Sequence, residues 1–371
     1  MRGLVVMAMV AGCQFIPNEA VVDGSIGDGA KSDAATIDGR VIDAGDNCVG
    51  ADPFMICLQA IPQNPLVLGP GVLVTDPASC AVAGGQVLSQ GSAPDLCVLA
   101  GTDVMIGGGV LRAEGSLPLV IVAMRDLQLQ GGARLDVSSF RGAARGGAGA
   151  NYAGCAAGQP GGNDNNGGGG GAGGSFGTVG GTGGSGGGAG GGSPGPASDA
   201  SVVRGGCPGS RGGTGMGTGG VGGGGGGAIY LLAGNMLAID GVIDASAEGG
   251  QGAPGSKAGG GGGGSGGMIA LYGKTGITMG ASALVFANGG GGGAGADNSP
   301  GGNGQQSTAP DDVAEGGFGS AEGGPGAISS QNGGGGRNSS KGAGGGGGGV
   351  GLVRNVSGQS LTSGTFSPSP N

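Results

Sequence analysis

Histidine and tryptophan are both absent from this 371-residue chain, aromatic residues make up 3% of it, and charged residues 11%. Without histidine the chain lacks the commonest general base, the commonest metal ligand and the usual switch near neutral pH. With so few large side chains, a conventional core cannot run along its whole length. Positive charge is scarce too. The net charge of −9 argues against nucleic acid and anionic headgroups as partners. These absences together point away from an enzyme, and no cofactor or metal is expected.

What the chain has instead is glycine, 108 residues of it. Much of it lies in tracts at 167–192, 205–227, 258–267 and 342–349. Glycine loses the most backbone entropy on folding. An ordered glycine tract must therefore recover that cost through dense backbone hydrogen bonding.

The N-terminus reads as an address. Met1-Arg2 precedes an apolar run, Gly3 to Val10, that is far too short to span a bilayer and ends at Val10-Ala11-Gly12-Cys13. This ending resembles the bacterial lipobox, in which the cysteine is lipidated and begins the mature chain. The resemblance implies a signal peptide over 1–12 and acyl chains on Cys13 that anchor the protein to a membrane. Gln14 stands where an inner-membrane retention signal typically has Asp, so an outer-membrane lipoprotein facing the cell surface is expected, with the periplasmic face as the alternative.

Of the seven cysteines, Cys13 is set aside for lipid. Cys48, Cys57, Cys80, Cys97, Cys155 and Cys207 remain, an even number in an exported chain, which reads as disulfides. Without histidine or a C-x-x-C spacing a metal site is disfavoured. Sequential pairing is expected: Cys48–Cys57, Cys80–Cys97 and Cys155–Cys207, the last closing the base of the largest glycine-rich excursion.

Residues 13–46 read as an anchor and tether. Asp23, Asp28, Asp33, Asp38 and Asp43 recur at every fifth position among small residues, a period that fits neither helix nor strand. Evenly spaced like charges favour an extended, solvated segment. Calcium binding is the sharper alternative, but the ligand pattern of an EF-hand loop is missing. Residues 47–94 carry Pro53, Pro62, Pro65, Pro70 and Pro77 and read as an irregular, disulfide-pinned cap.

From 95 to 371 short apolar segments repeat in units of three. Leu96–Gly101, Val104–Ile106 and Val110–Ala113 form the first, followed by Leu119–Met124, Leu127–Leu129 and Leu135–Ser138. The third comprises Ile229–Gly234, Leu237–Ile239 and Val242–Ser246, and the fourth Ile269–Gly273, Ile277–Met279 and Leu284–Ala287. A frayed fifth begins at Val350–Val353. Strands of this length, repeated roughly every twenty residues, predict an all-β fold: a short parallel β-solenoid, right-handed β-helix-like, of about five coils, with a flat or sandwiched antiparallel sheet as the alternative. Glycine-rich insertions at 139–227, 248–266 and 288–348 all follow a third strand, so they should leave from one corner and lie side by side. Within them side chains recur every third residue, as at Val179, Thr182 and Ser185, or Pro208, Arg211 and Thr214. That is the period of a polyproline-II-type helix, which needs neighbours to pair with. A polyglycine-II-like bundle docked on the solenoid is the expectation, and disordered low complexity the alternative.

Chemical motifs are weak. Gly273-Lys274-Thr275 imitates the end of a phosphate loop, but Met268 stands where that loop needs glycine. Asp136 and Asp244 occupy equivalent places in successive units, and they are expected to be solvated corner residues. Lipobox, acidic tether, cysteines, the Pro118-Leu119-Val120 segment and the ending over 363–370 together resemble glycine-rich lipoproteins of predatory and social myxobacteria. The resemblance implies no activity and no site residues.

The expected function is a non-catalytic, structural or adhesive envelope module. Its partners would be the membrane, through the anchor, and a surface polysaccharide or another surface protein. Two alternatives come from other classes. One is ice or polysaccharide binding through a flat glycine-rich face, to which Thr178, Thr182, Thr214 and Thr218 would contribute. The other is a β-helix carbohydrate-active enzyme.

Overall fold

In a computed structural model the chain divides into two units, Met1–Asp43 and Ala44–Asn371. The structure describes residues 47–371 apart from 92, 360 and 362. The expected signal peptide, the lipid site Cys13 and the Asp-repeat tether lie outside the described residues.

The described body is nearly all β, with one short helix, α1 (Pro77–Val82). Its strands follow the apolar repeat. The first unit is β6 (Leu96–Gly101), β7 (Val104–Ile106) and β8 (Gly109–Glu114). The second is β9 (Leu119–Ala123), β10 (Leu127–Leu129) and β11 (Ala133–Asp136). The third is β12 (Ala228–Ala233), β13 (Met236–Ile239) and β14 (Val242–Asp244). The fourth is β15 (Met268–Gly273), β16 (Gly276–Met279) and β17 (Leu284–Phe286). Last come β18 (Leu352–Asn355) and β19 (Thr365–Ser367).

Each of the first four units gives one strand to each of three sheets, in which successive units pair in parallel. Equivalent residues stack: Leu127 pairs with Val104 on one side and Leu237 on the other, and Leu237 pairs with Ile277. A short, apolar-polar-apolar strand such as Leu127-Gln128-Leu129 buries its two leucines and exposes its glutamine. Stacked this way, Ile121, Leu129, Leu135, Leu231, Ile243 and Ile269 join one buried cluster bounded by the three sheets. The corners are tight. Gly132, with φ +78, makes the turn into β11, a conformation that side chains disfavour.

Residues 47–94 are more regular than their prolines suggest. β3 (Leu66–Leu68) and β4 (Gly71–Val74) pair in parallel with β7 and β8, beginning the stack one unit earlier. Pro65 and Pro70 sit just outside these strands, where a missing N–H costs no ladder bond. β5 (Gln86–Leu88) lies antiparallel to β6. The hairpin of β1 (Cys48–Val49) and β2 (Ile56–Cys57) lies against β12, with Gly50 facing the Leu232 side chain. There Phe54 meets Tyr230 edge-on at 6.2 Å. Every residue of β9 and β12 is buried.

The long insertions leave after β11, β14 and β17 and return as β12, β15 and β18. Their glycine tracts are ordered by backbone hydrogen bonds of period three. In the tract 258–267, the N–H groups of Gly259, Gly262 and Ser265 donate to carbonyls of Gly213, Ser210 and Cys207. Those of Gly260, Gly263 and Gly266 donate to Ala343, Gly346 and Gly349. Those of Gly261, Gly264 and Gly267 donate to Gln251, Glu248 and Ala245. The same tract accepts bonds from 168–174, 220–226 and 290–296. It therefore has six tracts around it and leaves no internal N–H unpaired.

The buried tracts 167–175, 289–296 and 342–351 are surrounded in the same manner. An outer ring encloses them, formed by 158–164, 207–215, 217–227, 245–253, 301–305, 314–318, 322–327, 333–339, 179–186 and 189–193. Glycine is needed here for approach, not for dihedral freedom. None of these glycines has positive φ, yet a Cβ at Gly170, Gly262 or Gly348 would meet a neighbouring carbonyl oxygen well inside 3.0 Å.

The outer ring has a problem that its sequence answers. N–H groups pointing outward have no further tract to bond. Pro208, Pro254 and Pro325, all exposed, have no N–H to leave unpaired. Elsewhere an asparagine side chain caps the donor. Asn163 Oδ1 accepts from Thr214 at 2.8 Å, Asn303 Oδ1 from Gly252 at 3.0 Å and Asn338 Oδ1 from Ser185 at 2.7 Å. Edge strands of sheets are protected by comparable means.

Candidate functional site

The stack places one polar row on the outside of the third-strand sheet. Register aligns Val72, Arg112, Asp136, Asp244, Phe286 and Ser367 across β4, β8, β11, β14, β17 and β19. Period-2 alternation sends these side chains outward while Leu111, Leu135, Ile243 and Val285 point into the core.

The carboxylates in this row are not solvated corners, contrary to the sequence expectation. Asp244 is fully buried, and Asp136 retains 14% of its side-chain exposure. Two features of the register bury them. Arg134, two residues before Asp136 on β11, reaches across to Asp244 at 2.6 Å, and Arg112 on β8 reaches Asp136 at 2.8 Å. Phe286 follows directly in the row, its ring 5.8 Å from the Arg134 guanidinium, while Phe140 lies under Arg112 at 4.0 Å. Each carboxylate also accepts the N–H two residues on, at Ser138 and Ser246.

Burial pushes the Asp244 carboxyl up to about 6, with the neighbouring Asp136 charge acting the same way. Arg134 and the Ser246 hydrogen bonds oppose the rise. At the rim, Arg145 pairs with Asp76 at 3.2 Å, and hydrogen bonds from Ser116 hold the Asp76 carboxyl below its usual range.

The arrangement uses its charges internally. Arg112, Arg134, Arg141 and Arg145 each face a carboxylate. Among the described residues no group of three or more acidic, cysteine or histidine side chains could hold a metal ion. A cavity of about 310 Å³ is lined by Phe54, Met55, Leu88, Leu96, Val203 and Gln90, whose amide bonds the Pro94 and Val203 backbones. Tyr230, fully buried on β12, finds no hydrogen-bond partner for its hydroxyl among the described residues, and burial raises its pKa.

The six cysteines of the body are joined as Cys48–Cys57, Cys80–Cys97 and Cys155–Cys207. The four threonines do not form one row. Thr178 and Thr182 lie on the tract bonded to 333–336, whereas Thr214 and Thr218 lie on a hairpin bonded to 164 and 259. Lys274 and Thr275 sit at the bend between β15 and β16, both bonded through their N–H groups to the preceding unit. The arginines were the overlooked residues. Aligning Arg134-Leu135-Asp136 with Val242-Ile243-Asp244 would have placed Arg134 diagonally beside the second carboxylate.

No protein-family model matches this chain, and neither curated proteins nor solved structures gave a match.

Proposed function

We propose that the protein is a non-catalytic structural or adhesive module of a bacterial cell envelope. In this reading it is held to the outer membrane through Cys13, and its body is a short β-solenoid bearing a polyglycine-II-like lattice. The observation that carries this reading is the hydrogen-bonded surround of tract 258–267, in which each successive N–H points to a different neighbour. Such a lattice fixes most of its backbone donors without side chains. It makes a rigid body with little surface chemistry.

Three further features support it. The unit-by-unit parallel stacking in three sheets suits a coil whose successive turns rise about 4.8 Å. Disulfides suit an oxidising compartment. The buried carboxylates on adjacent strands are committed to arginines rather than poised over a cleft.

The test is protease treatment of intact cells carrying a tagged copy, run beside membrane fractionation of wild type and Cys13→Ser. Degradation on intact cells, with release from the membrane in the variant, is expected. Membrane association that survives Cys13→Ser would remove the lipid anchor. Protection on intact cells that is lost once the outer membrane is permeabilised would exclude surface adhesion in favour of a periplasmic structural role.

A further inference from the structure

Arg204 is 5% exposed, and no carboxylate pairs with it among the described residues. Its guanidinium lies between the rings of Phe176, at 3.8 Å, and Tyr152, at 5.0 Å. Nη2 donates to Ser198 Oγ at 2.7 Å and Nη1 to the Gly205 carbonyl at 3.2 Å. Nη1 also sits 3.8 Å from both sulfurs of the Cys155–Cys207 disulfide. A buried cation without a counter-charge is costly, and desolvation lowers its pKa. The groups around it become more favourable partners if one of them turns anionic. Among the groups its nitrogens contact, the Ser198 hydroxyl, the Gly205 carbonyl and the two sulfurs, the sulfurs are the ones that can.

The two sulfurs are not equivalent. Cys155 is half-buried in a segment whose neighbours Ala153, Gly154, Ala156 and Ala157 are exposed. Cys207 is 3% exposed and fixed in the lattice, its N–H bonded to Ser265 Oγ at 2.8 Å. Cys155 is the more accessible of the two to an incoming thiolate.

We infer that Cys155–Cys207 is a thiol-exchange site at which a low-molecular-weight thiol becomes attached to Cys155. The thiolate sulfur of the incoming molecule bonds to Cys155 Sγ as the Cys155–Cys207 bond breaks. The electron pair leaves on Cys207 Sγ as a thiolate beside the Arg204 guanidinium. The incoming thiol is the reductant: its sulfur is oxidised to the disulfide level as Cys207 is reduced to the thiolate, and no further oxidant is needed. A cation at the leaving sulfur lowers that thiol's pKa, and thiols of lower pKa leave faster. The other disulfides lack this arrangement among the described residues. Cys80 and Cys97 are fully buried, and Cys48–Cys57 has an exposed sulfur-bearing residue but no guanidinium bonded to it. The inference is independent of the envelope reading.

The test exposes the full chain to reduced glutathione at neutral pH, quenches with an alkylating agent and maps peptides over time. Glutathione on Cys155 and the alkyl label on Cys207 are expected, before Cys48–Cys57 opens. Arg204→Gln should slow opening about tenfold with no change at Cys48–Cys57, and Arg204→Lys should restore most of the rate. If Arg204→Gln does not fold, the wild type still decides, because freed Cys207 should be alkylated with a pKa below the ordinary thiol value of about 8.5. Glutathione on Cys207, earlier opening of Cys48–Cys57, or an unshifted Cys207 pKa would each overturn the assignment.

Discussion

The strand stack and the glycine lattice solve the same problem in opposite ways. In the stack, order comes from side chains: Leu231, Ile243 and Ile269 fill the space between three sheets, and the backbone ladder follows. In the lattice, order comes from removing side chains until carbonyl and amide of adjacent tracts can meet. The stack tolerates a smaller side chain at the cost of a cavity. At interior positions such as Gly170, Gly262 and Gly348 the lattice has no room for a larger one. Yet the two are continuous, since tract 258–267 runs directly into β15 and tract 342–351 into β18.

The sharpest way to break this comparison is to add a methyl group to the lattice. Gly348→Ala puts a Cβ against the Gly264 carbonyl, and stability should fall by at least about 3 kcal/mol in denaturant unfolding. Leu231→Ala in the stack should cost about 3 kcal/mol by cavity formation. Because the elements are continuous, both variants should lower one shared transition. Two separate transitions would show that the stack and the lattice are independent.

Asp244→Asn tests the polar row. Because the folded carboxyl titrates at about 6 and the unfolded one near 3.8, its contribution is complete below the lower value and is lost as pH rises through the upper one. Wild-type stability relative to the variant should therefore decline between about pH 4 and pH 6. A flat difference across that window would mean that Arg134 keeps Asp244 ionised throughout. Tyr230→Phe should raise stability by about 1 kcal/mol, since it removes a buried hydroxyl that bonds nothing. The smallest change expected is Gly190→Ala, at an outer-ring position with open space and negative φ. There alanine should be neutral or gain about 0.5 kcal/mol through the unfolded chain, the opposite sign to Gly348→Ala.

Much of the stack was legible because its signal is carried by side chains. Val104-Met105-Ile106, Leu127-Gln128-Leu129, Leu237-Ala238-Ile239 and Ile277-Thr278-Met279 align by eye, and the register pairs them in that order. Leu66-Val67-Leu68 belongs to the same column but was hidden between Pro65 and Pro70, which mark its ends rather than exclude it. Rows of period three in the insertions were visible, and Val179, Thr182 and Ser185 do accept bonds from one tract, at Gly333, Gly336 and Ser339. Which tract lies beside which was not visible, because a run of glycines carries no mark of its neighbours. The burial of Asp244 was missed for a related reason. It depends on Arg134 in the preceding unit and Phe286 in the next, more than a hundred and more than forty positions away in the chain.

The central claim is that the glycine tracts are hydrogen-bonded as firmly as the strands. Native-state amide hydrogen exchange, resolved to peptides covering 258–267 and β12, measures this directly. The account predicts that the amides of 258–267 exchange as slowly as those of Ala228–Ala233. Exchange of that tract at the rate of an unstructured chain, while β12 stays protected, would contradict it.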